Sequence, residues 1–152
     1  FNGQDIDQLK EVIDSINNDR HGRRHIISLW NPAMTKEMAL PPCYLYFQFY
    51  VNQGFIDMFV VQRSGDLFLG VPYDVCLFSK LLLYIASQTN TIPRTIDISI
   101  VDAHVYLNHF DAIAQYMENT DYKDGVEFTY QSGKLVLNNY KPGPIIKAPV
   151  AV

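Results

Sequence analysis

Cysteine is scarce in this sequence, and so is any surplus of positive charge. Two cysteines among 152 residues cannot build the disulfide framework of a small secreted domain, so a reducing, cytoplasmic setting is expected. Lysine and arginine total 12 against 16 aspartates and glutamates, a formal net charge of -4. No general basic footprint for nucleic acid follows from that balance, and any phosphate recognition must be local. No apolar run reaches the ~18 residues of a membrane span, and Phe1 opens no basic-then-apolar leader, so neither a membrane association nor a secretory signal is expected. Internal repeats, low-complexity segments and a metal site are not read in the chain either. What it does have is an apolar content of 48%, enough for one domain with a real core.

Periodicity divides the chain. Ile6, Leu9, Val12, Ile13 and Ile16 share one face of a helix over 5–19, with Asp5 placed to cap it. The turn Asn17 to Gly22 ends that helix, and Arg23-Arg24 precede an apolar strand, Ile26 to Trp30. Cys43 to Val51 and Phe55 to Arg63 read as adjacent antiparallel strands joined at Asn52-Gln53-Gly54. Both of their faces look apolar, which implies a sheet covered on both sides. Asp66 to Pro72 reads as a loop into a buried helix, Tyr73 to Gln88, within which Cys76 is expected to be a small core residue. Thr95 to Val101 alternates as a strand, Phe110 to Met117 as a short helix, and Val126 to Tyr130 with Leu135 to Tyr140 as a hairpin turning at 131–134.

The chemistry concentrates where Cys43 opens one strand and Arg63-Ser64 close the next. A cysteine at the start of an aromatic strand is ordinarily a core residue. Beside a guanidinium, however, a thiol is poised to act as a nucleophile, and the planar fork of arginine suits phosphate.

Five stretches carry a resemblance as well: RRHIISLWNP, PPCYLYFQFYV, QRSGDLFLGVPYDV, DAHVYLNH and the closing IKAPVAV. In this order and spacing they resemble the thymidylate synthase family over essentially the whole chain. The resemblance implies a single α+β domain over 1–152, a mixed or antiparallel sheet packed by helices, with one sheet face at a two-fold dimer interface. It also implies that the usual N-terminal portion of the family, with its mobile arginine loop, is not in this stretch, and that the segment between Asn119 and Val126 is shorter than usual. The activity implied is one-carbon transfer from 5,10-methylenetetrahydrofolate to C5 of a pyrimidine deoxynucleoside monophosphate.

Carried over position by position, the resemblance makes Cys43 the nucleophile that adds to C6. Arg63 and Ser64 would bind the nucleotide phosphate, and Arg23 and Arg24 would reach the phosphate held by the partner subunit of a homodimer. Gln62 and Asp66 would order the pyrimidine and folate sides of the pocket, His104 and Tyr106 the sugar hydroxyl. Leu69, Tyr73 and Val152 would join Asp66 on the folate side. Asn108 and His109 are read as structural.

Two positions depart from the family. Asp74 stands where thymidylate synthases have asparagine; a carboxylate has no donor for O4 of uracil but accepts from the amino group of cytosine. Tyr44 stands where a histidine usually follows the cysteine. Both favour dCMP 5-hydroxymethylation, as in phage-type enzymes of this family. The synthase-like ending Lys147 to Val152 pulls the other way, because a tail that excludes water favours hydride transfer and a methyl product. Formation of dTMP from dUMP, dUMP hydroxymethylation, and a nucleotide-binding relative without turnover are the alternatives.

Overall fold

Gln53 and Gly54 carry the tightest local instruction in the chain. Both adopt the left-handed backbone region, with φ of 52° and 83°, as a two-residue hairpin turn of the primed type requires. They join β2 (Tyr44–Asn52) to β3 (Phe55–Asp66) as an antiparallel pair, the hairpin expected from the sequence. The computed structural model describes residues 5–118, 127–131 and 134–150. Residues 119–126, where a shorter segment is expected, residues 132–133 of the expected turn at 131–134, and Val152 lie outside the described residues.

The main sheet has four strands in the order β1-β2-β3-β4, with β1 at Ile26–Ser28 and β4 at Ile92–His104. β3 and β4 run parallel, so the chain must cross over between them, and α2 (Gly70–Thr89) makes that crossing. α1 (Gln8–Asn18) lies beside α2. A short 3-10 turn, Leu107–His109, leads into α3 (Phe110–Glu118), and β5 (Glu127–Gln131) with β6 (Lys134–Asn138) form a separate hairpin. The result is the mixed α+β sheet packed by helices that the sequence implied.

The core lies between the helices and one sheet face. Val12 and Ile16 of α1 meet Phe47, Phe49 and Val51 of β2, Ile56, Met58 and Val60 of β3, and Phe78, Leu82, Ile85 and Ala86 of α2. The period of two along β2 and β3 and the 3- to 4-residue spacing along α2 put these side chains on single faces. The opposite sheet face is open: Ile26, Tyr50, Phe59 and Val101 are all exposed. The expectation of a sheet covered on both sides therefore holds for one face within the chain.

Other boundaries move for local reasons. Asp7, not Asp5, caps α1, its side chain accepting from Lys10 N at 3.0 Å. β1 stops at Ser28, although Leu29 N and Trp30 N still donate to Leu45 O. β4 runs six residues beyond the expected Thr95–Val101, three at each end. α2 begins at Gly70 because Pro72 falls in its first turn, where a proline needs no hydrogen-bond partner. α2 also departs from a helix buried all round: Tyr73, Val75, Cys76 and Leu77 are exposed, so Cys76 is not a core residue. With 20 residues and a mean hydropathy of 1.2, α2 is long and apolar enough to cross a membrane by length and composition. Asp74 and Lys80 break the apolar run without lowering the mean far. Here α2 is the packing helix of the sheet, through Phe78, Leu82, Ile85, Ala86 and Thr89.

Candidate active site

A bulge at the start of β2 makes the site. Tyr44 pairs with Gln62 and Tyr46 with Val61, so Leu45 is the extra residue. An extra residue reverses which face the next side chain takes. Tyr44 is thereby turned to the helix side, where its ring packs edge-on against Phe78 at 5.3 Å and beside Phe47 at 5.9 Å. Leu45 instead joins Tyr46, Gln48 and Trp30 along the open face.

Asp74 lies on the same side of α2 as Phe78, one turn earlier. A carboxylate aimed at a sheet face needs donors, and it has two. The Tyr44 hydroxyl donates to Oδ1, and Gln62 Nε2 donates to Oδ2 at 2.7 Å. Burial, then the hydrogen bond to Asp74, pushes the Tyr44 phenol above its ordinary range, so it keeps its proton and remains a donor. Gln62 is 0% exposed, and its Oε1 has no partner among the described residues.

Arg63, the next residue on β3, is held by the chain before Cys43. Its Nε donates to Pro42 O at 3.0 Å and its Nη2 to Pro41 O at 2.8 Å, while Nη2 stands 3.9 Å from Cys43 Sγ. Two proline carbonyls thus fix the guanidinium beside the thiol. The backbone repeats the link, with Arg63 N donating to Cys43 O at 2.8 Å.

The parallel pairing of β3 with β4 brings in the rest. Ser64 lies opposite Asp102, Gly65 opposite Ala103 and Asp66 opposite His104, at the carboxyl ends of both strands and the start of α2. A βαβ crossover opens its crevice at that end. Space is tight at Gly65, where a Cβ would come 3.0 Å from Val71 Cγ2 and 3.2 Å from Ile100 Cγ2 and would press those side chains aside. Asp66 Oδ1 accepts from Phe68 N at 3.0 Å, closing the turn into α2. His104 packs edge-on to Tyr106 at 5.0 Å.

These residues converge on one cavity of about 330 Å³, lined by Cys43, Tyr44, Arg63, Ser64, Asp66, Asp74, His104 and Tyr106, with Leu40 and the two glycines at 65 and 70. Of the residues singled out in the sequence, the structure brings Cys43, Arg63, Ser64, Asp66, Asp74, His104 and Tyr106 together. Gln62 sits behind Asp74 and does not line the cavity. Leu69 and Tyr73 flank the first turn of α2, with Tyr73 77% exposed.

Arg23 and Arg24 are elsewhere in the same chain. They line a separate polar recess with Ser15, Asp19, His21, Gly22 and His25. His25 is buried beneath them, its Nδ1 2.9 Å from Ser15 Oγ, and a Cβ at Gly22 would meet its ring at 2.9 Å.

Three features were not read from the sequence. Tyr44 was noted as a departure but not as the partner of Asp74; a carboxylate four residues before Phe78 on a core stripe signalled the need for a donor. Leu40 had no signal. His109 is fully buried, with Nε2 2.8 Å from Pro149 O and Nδ1 3.9 Å from Asp66 Oδ1, and so connects the C-terminal segment to the cavity edge.

A family model described as thymidylate synthase matches residues 1–152. The chain belongs to the thymidylate synthase family. Among solved structures it is similar to the thymidylate synthase of T4 phage, with 36% sequence identity and a TM-score of 0.84 over 97% of this chain. The chain spans 59% of the length of that protein. Within the family, then, the cavity at the end of β3 and the start of α2 is built around a carboxylate at position 74 and a phenol at position 44.

Proposed function

We propose that the protein transfers a one-carbon unit to C5 of a pyrimidine deoxynucleoside monophosphate, with dCMP as substrate and 5-hydroxymethyl-dCMP as product. The observation that carries the choice of base is the pair of donors on Asp74. With Tyr44 and Gln62 both donating to it, Asp74 offers the cavity only lone pairs. Those match the exocyclic amino group of cytosine, whereas toward uracil they accept only from N3–H and oppose O4.

Cys43 is the nucleophile in this reading. Its Sγ adds to C6 of the ring, which makes C5 electron-rich enough to attack an electrophilic carbon. Arg63, fixed by the Pro41 and Pro42 carbonyls with its Nη2 3.9 Å from Cys43 Sγ, binds phosphate together with Ser64. His104 and Tyr106 hold the sugar hydroxyl. Methylenetetrahydrofolate, when bound, supplies the one-carbon unit. Asp66, Leu69 and Tyr73 would hold it, and Val152 would join them; the ring of Tyr73, exposed on α2 next to Asp74, suits a flat heterocycle. Arg23 and Arg24 would act across a two-fold axis on the partner's nucleotide. The homodimer is supported by the open apolar sheet face with Ile26, Tyr50, Phe59 and Val101 exposed.

One observation favours a second reading, synthesis of dTMP from dUMP. His109 holds the Pro149 carbonyl at Nε2 while its Nδ1 stands 3.9 Å from Asp66 Oδ1, and a tail drawn over the cavity excludes the water that a hydroxymethyl product needs. Tritium release from C5-labelled nucleotide tests the shared first half of both reactions. The wild type is expected to release tritium from dCMP faster than from dUMP, and Cys43→Ser to abolish release while keeping its fold. Release that survives Cys43→Ser would refute the assignment of the nucleophile, and no release from either nucleotide by the wild type would refute the reaction.

A further inference from the structure

The base-reading carboxylate does not stand alone. Tyr44 reaches Asp74 only because the bulge at Leu45 turns it to the helix side, and its ring is held there by Phe47 and Phe78. Gln62 approaches the other oxygen from a fully buried position. Donors on the protein side of both oxygens fix the plane of the carboxylate and leave its remaining lone pairs toward the cavity. Without the Tyr44 hydroxyl, Oδ1 would have no side-chain donor among the described residues. It would then be free to rotate away from the geometry that suits the cytosine amino group.

Resting on the reading of Asp74 as the base-recognising residue, we propose that Tyr44 is a specificity-determining positioning residue, and that the choice between cytosine and uracil belongs to the Tyr44–Asp74–Gln62 network. Tyr44 lines the cavity with its hydroxyl committed to Asp74, and in this proposal it acts on the base through that carboxylate. Its effect must therefore appear in the ratio of the two nucleotides and must vanish when the carboxylate is removed.

The test is a double-mutant cycle on the full-length protein, with kcat and KM measured separately for dCMP and dUMP in the wild type, Tyr44→Phe, Asp74→Asn and the double variant. Tyr44→Phe is expected to lower the dCMP-to-dUMP ratio of kcat/KM by ~10-fold, the weight of one hydrogen bond to a charged group. The change should fall mainly on KM for dCMP. In the Asp74→Asn background the same substitution should move the ratio by less than about twofold, as strong coupling between contacting residues requires. Gln62→Met, which removes the other donor at similar volume, should shift the ratio in the same direction and covers the case of a Tyr44→Phe that does not fold.

Equal losses on both nucleotides would make Tyr44 merely structural and overturn the proposal. So would a ratio shift of the same size with and without the carboxylate. A wild type that prefers dUMP would contradict the dCMP reading while leaving the cycle to judge the network by the shift that Tyr44→Phe produces. A wild type that turns over neither nucleotide would overturn both.

Discussion

Replacing one carboxylate oxygen by an amide nitrogen, Asp74→Asn, should reverse the base preference with little damage to the fold. The structure shows why the damage is small. Tyr44 and Gln62 both donate to Asp74, and an amide retains only one acceptor. Gln62, however, carries a buried Oε1 with no partner among the described residues. Turning its side-chain amide over lets that oxygen accept from the new N–H, while Tyr44 donates to the new carbonyl. The loss is then the difference between hydrogen bonds to a charged and to a neutral group, ~1 kcal/mol each. At the base the effect is larger. Cytosine loses an acceptor and meets a donor with its own amino group, while uracil gains a donor for O4. Each mismatch made or relieved is worth ~1–3 kcal/mol. Together they amount to ~2–6 kcal/mol in the ratio, or roughly 30-fold to 10⁴-fold at ~1.4 kcal/mol per tenfold. Competition between dCMP and dUMP at equal concentration reads this directly as the ratio of kcat/KM. A folded Asp74→Asn protein whose ratio moves by less than about threefold would refute the reasoning.

Other consequences concern stability and the tail. Phe78 is fully buried and supports both Tyr44 and Phe47, so Phe78→Ala should cost ~3–5 kcal/mol in urea unfolding; a loss below ~1.5 kcal/mol would mean the ring is not part of the core. The Tyr44 phenol titrates above its ordinary range in the folded state, first through burial and then through Asp74. The folded state therefore binds this proton more tightly, so stability is full below pH ~10 and falls as pH rises beyond it. Tyr44→Phe should flatten that alkaline slope, and an unchanged slope in urea midpoints measured across it would contradict the assignment. Because His109 Nε2 holds Pro149 O, His109→Ala should speed tryptic cleavage after Lys147 by roughly fivefold, the weight of one hydrogen bond; an unchanged rate would mean the tail is held by other contacts.

Much of the fold was legible because its signals are local. The β2–β3 hairpin followed from Gln53-Gly54 between two aromatic, β-branched runs, and α1 from the spacing of Leu9, Val12, Ile13 and Ile16. Element ends were less legible, since Asp5 and Asp7 offer the same cap and only the chain's approach selects Asp7. The exposure of Cys76 and Leu77 was misread because composition shows that α2 is apolar but not which of its faces meets the sheet. At the site, the convergence of Cys43, Arg63, Asp66, Asp74 and His104 was anticipated through the quoted motifs, and the parallel register of β3 and β4 explains it. The contact of Tyr44 with Asp74 was not, because it depends on a one-residue bulge that no residue type in Tyr44-Leu45-Tyr46 announces.

The central claim is tested most directly by the mass of the product formed from methylenetetrahydrofolate with dCMP or dUMP. The account predicts a nucleotide heavier than dCMP by one hydroxymethyl group in place of hydrogen, with tetrahydrofolate released. A methylated product from dUMP with dihydrofolate, and none from dCMP, would contradict it and would make the closing tail, not Asp74, the feature that decides the reaction.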